Sequence, residues 1–175
     1  MLRYAGLSSV LNFYFAAKLL VVSGADSGNN YVTKSEVLDL SNPSKACQPW
    51  EDHPTGTKYA AGALFDNQVI VCGGQTPEDD YSTDCHLISP NTTEAVVSLN
   101  IGSSYSAAIE FQEKLLLSGG YGDDRAKFGD LNRTEFINLT QTYPGPDLPY
   151  PVYGHCLIKT SSDDFMLTGG RNING

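Results

Sequence analysis

Four apolar runs that end in glycine recur along this chain at a nearly fixed interval. Their final glycines, Gly24, Gly74, Gly120 and Gly170, are separated by 50, 46 and 50 residues. Self-similarity at a fixed period indicates a repeat architecture, because each repeat buries its apolar surface only by stacking on its neighbours. This requirement constrains the fold more strongly than any other feature of the sequence.

The repeats predict short strands rather than helices. A continuous apolar run is typical of a strand that is covered on both faces. After each of the first three glycine ends, a polar loop leads to a second short strand, at Glu36–Leu40, Asp84–Ile88 and Glu135–Leu139. The 17 glycines and 9 prolines favour tight turns. We therefore predict an all-β chain, with fewer than roughly one residue in ten in a helix.

An apolar strand that ends in a glycine doublet, at a period near 50, resembles the kelch repeat of β-propeller proteins. The first repeat departs from the pattern with Ser23-Gly24, and Trp50 follows its second strand. The doublet positions are structural glycines in this resemblance, because glycine permits a sharp turn and close backbone approach. They are Gly24, Gly73, Gly74, Gly119, Gly120, Gly169 and Gly170.

The resemblance implies a partial, open kelch-type β-propeller of four-stranded antiparallel blades. We expect blades at approximately 1–52, 53–100 and 101–148, and an incomplete blade at 149–175. The innermost strands are predicted at Gly6–Leu11, Tyr59–Leu64 and Tyr105–Phe111. About three and a half blades do not close a ring of four to eight.

The open ends of such an arc predict exposed apolar surface. We expect Leu19, Val21, Phe165 and Leu167 to be unusually exposed, because they are meant to pack on neighbouring blades. The missing blades of the same propeller, or self-association through these edges, are then expected partners. The first 22 residues have a second interpretation as a signal peptide, but we favour a first strand.

Charge and hydropathy exclude two classes of partner. The net charge of −9 argues against nucleic acid, whose phosphates require a basic surface. No stretch of 18 apolar residues is present, so insertion into a membrane is not expected.

The cysteines and sequons favour an oxidising compartment. Cys72 ends the second strand of blade two and Cys85 begins the third, so a hairpin brings them together and predicts a disulfide with Cα atoms about 4.4–6.8 Å apart. Two buried free thiols are the alternative. Acceptor sequons at Asn91, Asn132 and Asn138 predict glycosylation. Together these features favour a secreted protein, with the cytoplasm as the alternative.

No motif for catalysis, metal or cofactor is found in the sequence. His53, His86 and His155 have no metal-ligand spacing, and we interpret them as structural. Calcium loops, nucleophile elbows and phosphate-binding loops are also missing from the sequence. We therefore expect no cofactor, no metal site and no enzymatic activity. The resemblance itself extends to enzymes, the galactose oxidases and sialic acid epimerases.

The loops after the glycine ends are predicted to emerge on one face, because the same connection recurs in each blade. Tyrosines among carboxylates suit a polar or basic protein segment. The candidate binding residues in these loops are Tyr31, Asp79, Asp80, Tyr81, Tyr121, Asp123, Asp124 and Phe128.

The leading hypothesis is a protein-interaction or ligand-binding module that presents this loop face to a protein or glycan. A fragment of a kelch-type carbohydrate-active enzyme, of the oxidase or epimerase class, is the first alternative. The substrate-recognition propeller of an intracellular ubiquitin-ligase adaptor is the second.

Overall fold

The computed structural model describes residues 11–15, 18–65, 68–78, 80–123, 128–161 and 163–172, with all their side chains except those of 11–15, 65, 123, 128 and 130. Strands, turns and loops make up all of these residues, and no helix occurs among them. The prediction of an all-β chain is therefore confirmed for the described part. Consequently no helix in that part is long and apolar enough to span a membrane.

Three four-stranded antiparallel sheets and one two-stranded sheet follow one another along the chain. Blade one comprises β1 (Leu11–Phe15), β2 (Lys18–Ala25), β3 (Tyr31–Asp39) and β4 (Gln48–Trp50). Blade two comprises β5 (Ala61–Phe65), β6 (Gln68–Cys72), β7 (Asp84–Ile88) and β8 (Thr93–Ser98).

Blade three has an additional small sheet beside it. Its own strands are β10 (Ala107–Phe111), β11 (Lys114–Ser118), β14 (Thr134–Ile137) and β15 (Thr142–Pro144). The small sheet joins β9 (Ser103–Ser104), β12 (Tyr121–Asp123) and β13 (Phe128–Asp130). Blade four consists of β16 (Tyr153–Lys159) and β17 (Phe165–Arg171). The architecture is thus a partial, open β-propeller of antiparallel blades.

The predicted bounds of the inner strands were wrong by two to four residues. Strands β5 and β10 begin at Ala61 and Ala107, because Tyr59 and Tyr105 have left-handed backbones, with φ of 58° and 56°, that interrupt the strand. In blade one the strand extends to Phe15, which pairs with Lys18, instead of ending at Leu11. Residues 6–10 of that prediction lie outside the described residues.

The core lies between the blades. Along β6, Val69 and Val71 belong to the cluster shared with blade one, whereas Ile70 and Cys72 belong to the cluster shared with blade three. Both faces of the strand are covered, which explains why its apolar run is continuous rather than alternating. All four side chains are 1 % exposed.

The disulfide between Cys72 and Cys85 is confirmed. The two residues lie directly opposite each other on β6 and β7, with Cα atoms 4.1 Å apart, and both are buried. This separation is below the predicted range. The pair is of the close, non-hydrogen-bonded type, because Gly73 N–H donates to the Asp84 carbonyl one residue further along. Cys47 and Cys156 are free and exposed.

The glycine doublets join each blade to the next. Gly73 and Gly74 have φ of 69° and 99°, and Gly74 N–H donates to the Ser103 carbonyl at 2.8 Å. A Cβ on Gly73 would lie 2.5 Å from that same oxygen. Glycine is therefore needed there for its left-handed backbone and for the close approach of the next blade.

The prediction for the open edge was wrong in its choice of residues on blade four. Phe165 and Leu167 are half-buried, and the Phe165 ring lies 5.4 Å from the Phe111 ring of blade three. The exposed residues are Ile158 and Met166, at 46 % and 48 %. Alternation along β17 explains the difference, because odd-numbered side chains face blade three and even-numbered ones face away. In blade one, Leu19 and Val21 are half-buried rather than exposed.

Candidate functional site

An open cleft of about 520 Å³ lies where blades two, three and four meet. Residues that directly follow the glycine doublets line it, together with residues at or just before the start of the inner strands and Tyr81 from the loop between β6 and β7. They are Gln75, Tyr81, Ser104, Tyr105, Tyr121, Tyr153, Gly154 and Arg171. Four of the eight are tyrosines, so aromatic rings dominate the walls of the cleft.

The same backbone pairing positions the lining residues in each blade. Gln75 exchanges two backbone hydrogen bonds with Lys58, at 2.7 and 3.0 Å. Tyr121 pairs with Ser104 in blade three in the same way, and Arg171 pairs with Tyr153 in blade four. The repeat therefore delivers one pair of side chains per blade to this end of the structure.

The tyrosine rings form a continuous wall. Tyr121 contacts Tyr81 and Tyr153, with ring centroids 5.9 and 6.1 Å apart. Tyr153 also contacts Tyr105 at 5.9 Å, and Tyr105 stacks on Tyr59 at 3.8 Å. Such contacts restrict the rings and leave their remaining edges and faces for a ligand.

Backbone hydrogen bonds across the blades fix this wall. Tyr105 N–H donates to the Tyr59 carbonyl, and Gly154 N–H donates to the Tyr105 carbonyl, both at 2.8 Å. All three residues have left-handed backbones, which are unfavourable for tyrosine and persist only where the surroundings impose them. Burial, together with a side-chain hydrogen bond to Tyr59, raises the pKa of the Tyr105 phenol. Tyr105 is therefore a neutral, preorganised part of the site.

Two of the predicted loop tyrosines, Tyr81 and Tyr121, lie in the cleft. Asp80 is exposed in the preceding loop. Asp79 and Asp124 lie outside the described residues. For Asp123 and Phe128 only the backbone is described, in β12 and β13.

Tyr31, the third predicted loop tyrosine, lies elsewhere and joins two blades. The Lys58 ammonium is 4.0 Å from its ring centroid and donates to Asn29 Oδ1 at 2.6 Å. Lys58 is 5 % exposed, so this cation–π contact is sheltered from water. We interpret Tyr31 as part of the junction between blades one and two.

Sequence reasoning missed Tyr59, Tyr105, Tyr153 and Arg171 as members of the aromatic wall and cleft. A signal was present, because the three tyrosines recur at intervals of 46 and 48 residues, close to the period of the glycine ends. The sequence predicted Tyr59 and Tyr105 only as the first residues of inner strands. The convergence of these residues with the loop tyrosines depends on how neighbouring blades pack.

The histidines lie at the blade junctions rather than in the cleft, and His53 and His155 are buried whereas His86 is half-buried. His155 Nε2 and Ser118 Oγ are 2.7 Å apart between blades four and three, and both residues are buried. A buried serine is inaccessible to a substrate, and His155 Nδ1 has no hydrogen-bond partner in the described part of the chain. The pair therefore lacks the orienting acid of a hydrolytic triad.

His53 packs edge-on against His86, with ring centroids 4.8 Å apart. Burial lowers the pKa of the His53 imidazole to about 4 and also lowers the pKa of both other histidines. All three are therefore neutral at physiological pH. No group of three or more His, Cys, Asp or Glu side chains in the described ranges is arranged to hold a metal ion.

The three sequons differ in their surroundings. Asn91 is exposed in the turn between β7 and β8. Asn132 is half-buried. Asn138 Nδ2 donates to the Tyr143 hydroxyl, and its Oδ1 accepts from the Thr140 and Gln141 backbone N–H groups. Of the three asparagines, only Asn91 is exposed.

Comparison with known proteins gives one protein of similar sequence and one solved structure of similar fold. No protein-family profile matches the chain. The spermatocyte protein spe-26 of Caenorhabditis elegans is 25 % identical over 166 residues, which cover 87 % of this chain and 27 % of that protein. The solved structure of YjhT, a β-propeller-type protein, superposes on 79 % of this chain and 45 % of its own with a TM-score of 0.64 at 15 % identity. The chain thus spans about a quarter of one and under half of the other.

Proposed function

We propose that this chain is a ligand-binding module of the kelch-repeat type, and that its ligand binds in the tyrosine cleft. The observation that carries the proposal is the convergence of Tyr81, Tyr105, Tyr121 and Tyr153, from successive repeats, on one open cleft. Sites for specific ligands are typically concave, mostly aromatic and equipped with few polar groups.

The chemistry of the cleft favours a protein segment or a glycan as the ligand. Tyrosine faces stack on apolar or sugar surfaces, and their hydroxyls exchange hydrogen bonds at low conformational cost. Gln75, Ser104 and Arg171 add an amide, a hydroxyl and a guanidinium to the same walls. Exposed Asp80, in a chain of net charge −9, favours basic or polar groups on the part of the ligand that reaches the loop.

Binding rather than catalysis is supported by the placement of the reactive groups. Ser118 and His155, the closest approach to a nucleophile and base, are buried between blades three and four. Neither lines the cleft.

A matched pair of variants tests the proposal. The chain is applied to an array of basic and neutral peptides and to a glycan array, and the strongest binder is measured against the wild type, Tyr121→Ala and Tyr143→Ala. Tyr143 lies on the outermost strand of blade three and serves as the control. We expect Tyr121→Ala to weaken binding at least about tenfold, as for a central aromatic contact. No binder on either array, or equal losses in both variants, would refute the proposal.

We also propose that the chain matures in a secretory compartment and carries a glycan at Asn91. The buried disulfide between Cys72 and Cys85 is typical of proteins from oxidising environments. The amide of Asn91 is exposed, as a glycan requires. Expression through a eukaryotic secretory pathway, followed by mass spectrometry with and without deglycosylation, tests both points. An unmodified Asn91 would refute the glycan, and reduced Cys72 would refute the compartment.

A further inference from the structure

The outer face of blade four carries exposed apolar residues at positions that are buried or half-buried in other blades. Met166 and Ile158 lie opposite each other on β17 and β16 and are 48 % and 46 % exposed. Counted from the glycine doublets, Met166 corresponds to Leu116 of blade three and Ile70 of blade two. Both of those side chains are 1 % exposed, because the next blade covers them. Blade four therefore presents a packing face that no other blade of the described structure covers.

The glycine doublet of blade four is open in the same way. At Gly73, a Cβ would meet the Ser103 carbonyl of the next blade at 2.5 Å. At Gly169, which has the same left-handed backbone with φ of 72°, no atom of the described residues lies within 4 Å of the position of a Cβ. The two features that join blades two and three thus recur on blade four without a partner.

The opposite end of the arc presents the complementary face. On blade one, Leu19, Val21 and Leu38 share one side of the sheet and are half-buried. The corresponding residues of blade two, Val69, Val71 and Ile88, are each 1 % exposed against blade one. Blade one therefore has the face that a preceding blade would cover.

We infer that the blade-four face binds the blade-one face of a second copy of this chain. The chain carries both halves of an interface that it already uses between its own successive blades, so a second copy supplies a complementary face. Because the two faces differ, the contact is head to tail, and it either closes a ring of copies or extends as a filament. This interface is separate from the tyrosine cleft.

Sedimentation of the whole purified chain over a wide range of concentrations tests the inference. We expect the wild type to self-associate, and Met166→Lys and Val21→Lys each to weaken association about tenfold or more, because each places a charge in an apolar contact. Leu40→Lys is the matched control, since Leu40 is also an exposed leucine-sized side chain, at 38 %, but lies in a turn. It should leave association unchanged.

Mixing distinguishes a head-to-tail contact from a symmetric one. Met166→Lys retains an intact blade-one face and Val21→Lys retains an intact blade-four face, so the mixture should form a dimer that neither variant forms alone. Near-ultraviolet circular dichroism establishes that each variant is folded, and Glu36→Arg, on the same face, replaces Val21→Lys if that variant is not. A wild type that stays monomeric at its highest concentration, or a mixture of folded variants that fails to associate, would overturn the inference.

Discussion

Neighbouring blades approach each other closely at two junctions. Different residues permit this approach between blades two and three and between blades one and two. Gly73 adopts a left-handed backbone and leaves room for the Ser103 carbonyl. Ser23, at the corresponding position, adopts φ of 52° and fills that space with its hydroxyl, which accepts from Thr57 N–H at 3.0 Å. The position therefore requires a left-handed backbone, and it accommodates a side chain where that side chain bonds to the next blade.

The comparison extends to the open edge, where Gly169 has the same left-handed backbone but no described atom within 4 Å of the position of a Cβ. The three positions separate two costs that are usually combined, the strain of a left-handed backbone and the clash with the next blade. They also explain why the first repeat tolerates a departure from the doublet.

The largest expected effect is at the closed junction. Gly73→Ala should lower the free energy of unfolding by roughly 2–5 kcal/mol, because it adds backbone strain and forces apart Ser103 and the new methyl group. Gly169→Ala meets no atom and should cost only the strain, about 1–2 kcal/mol. Denaturant unfolding of both variants measures the difference, and equal losses would contradict the role assigned to the neighbour.

Low pH should destabilise the junction between blades one and two. Burial lowers the pKa of His53 to about 4, so between pH 6.5 and 4 the unfolded chain binds a proton that the folded chain does not. His53 therefore leaves the free energy of unfolding unchanged above pH 6.5. As the pH falls below that value, this group lowers the free energy of unfolding, by roughly 3 kcal/mol at pH 4. The pH dependence of denaturant midpoints checks this, with His53→Gln expected to flatten the slope.

Reduction of the disulfide between Cys72 and Cys85 should destabilise the packing between blades two and three. The disulfide closes a short loop, with 13 residues of separation, and should contribute about 3 kcal/mol. Reductant is expected to lower the thermal midpoint of the wild type. The double variant Cys72→Ala/Cys85→Ala should melt at a lower temperature from the start and show no further shift with reductant, unless another thiol is responsible.

The smallest effect is expected at Ser23. Ser23→Ala keeps the strained backbone and leaves Thr57 N–H without its buried acceptor, which should cost about 1–3 kcal/mol. Ser23→Gly loses the same bond but relieves the strain, so it should be the milder change. Chemical unfolding of the two variants ranks them, and a more stable alanine variant would contradict this explanation of the first repeat.

Much of the fold was predictable because the repeat imposes it. The spacing of Gly24, Gly74, Gly120 and Gly170 indicated the blades, and a simple hairpin between Cys72 and Cys85 indicated the disulfide. The direction in which Phe165 and Met166 point could not be derived, because the sequence does not state which side of blade four has a neighbour.

The site was harder to predict than the fold. Tyr81 and Tyr121 followed from their places in the loops, but the left-handed backbones of Tyr59 and Tyr105 are not typical of tyrosine and gave no local signal. Contacts between rings of different blades depend on packing between residues that are 32 to 48 positions apart in the sequence, which no short motif encodes.

The central claim is that the tyrosine cleft, rather than the outer strands or an open edge, is the binding surface. Amide hydrogen exchange of the wild-type chain, with and without the strongest binder from the arrays, tests it most directly. We predict slower exchange at Gln75, Tyr105, Tyr121 and Gly154, and no change in the outer strand Thr142–Pro144. Protection confined to the outer strands, or to the face that bears Ile158 and Met166, would contradict the account.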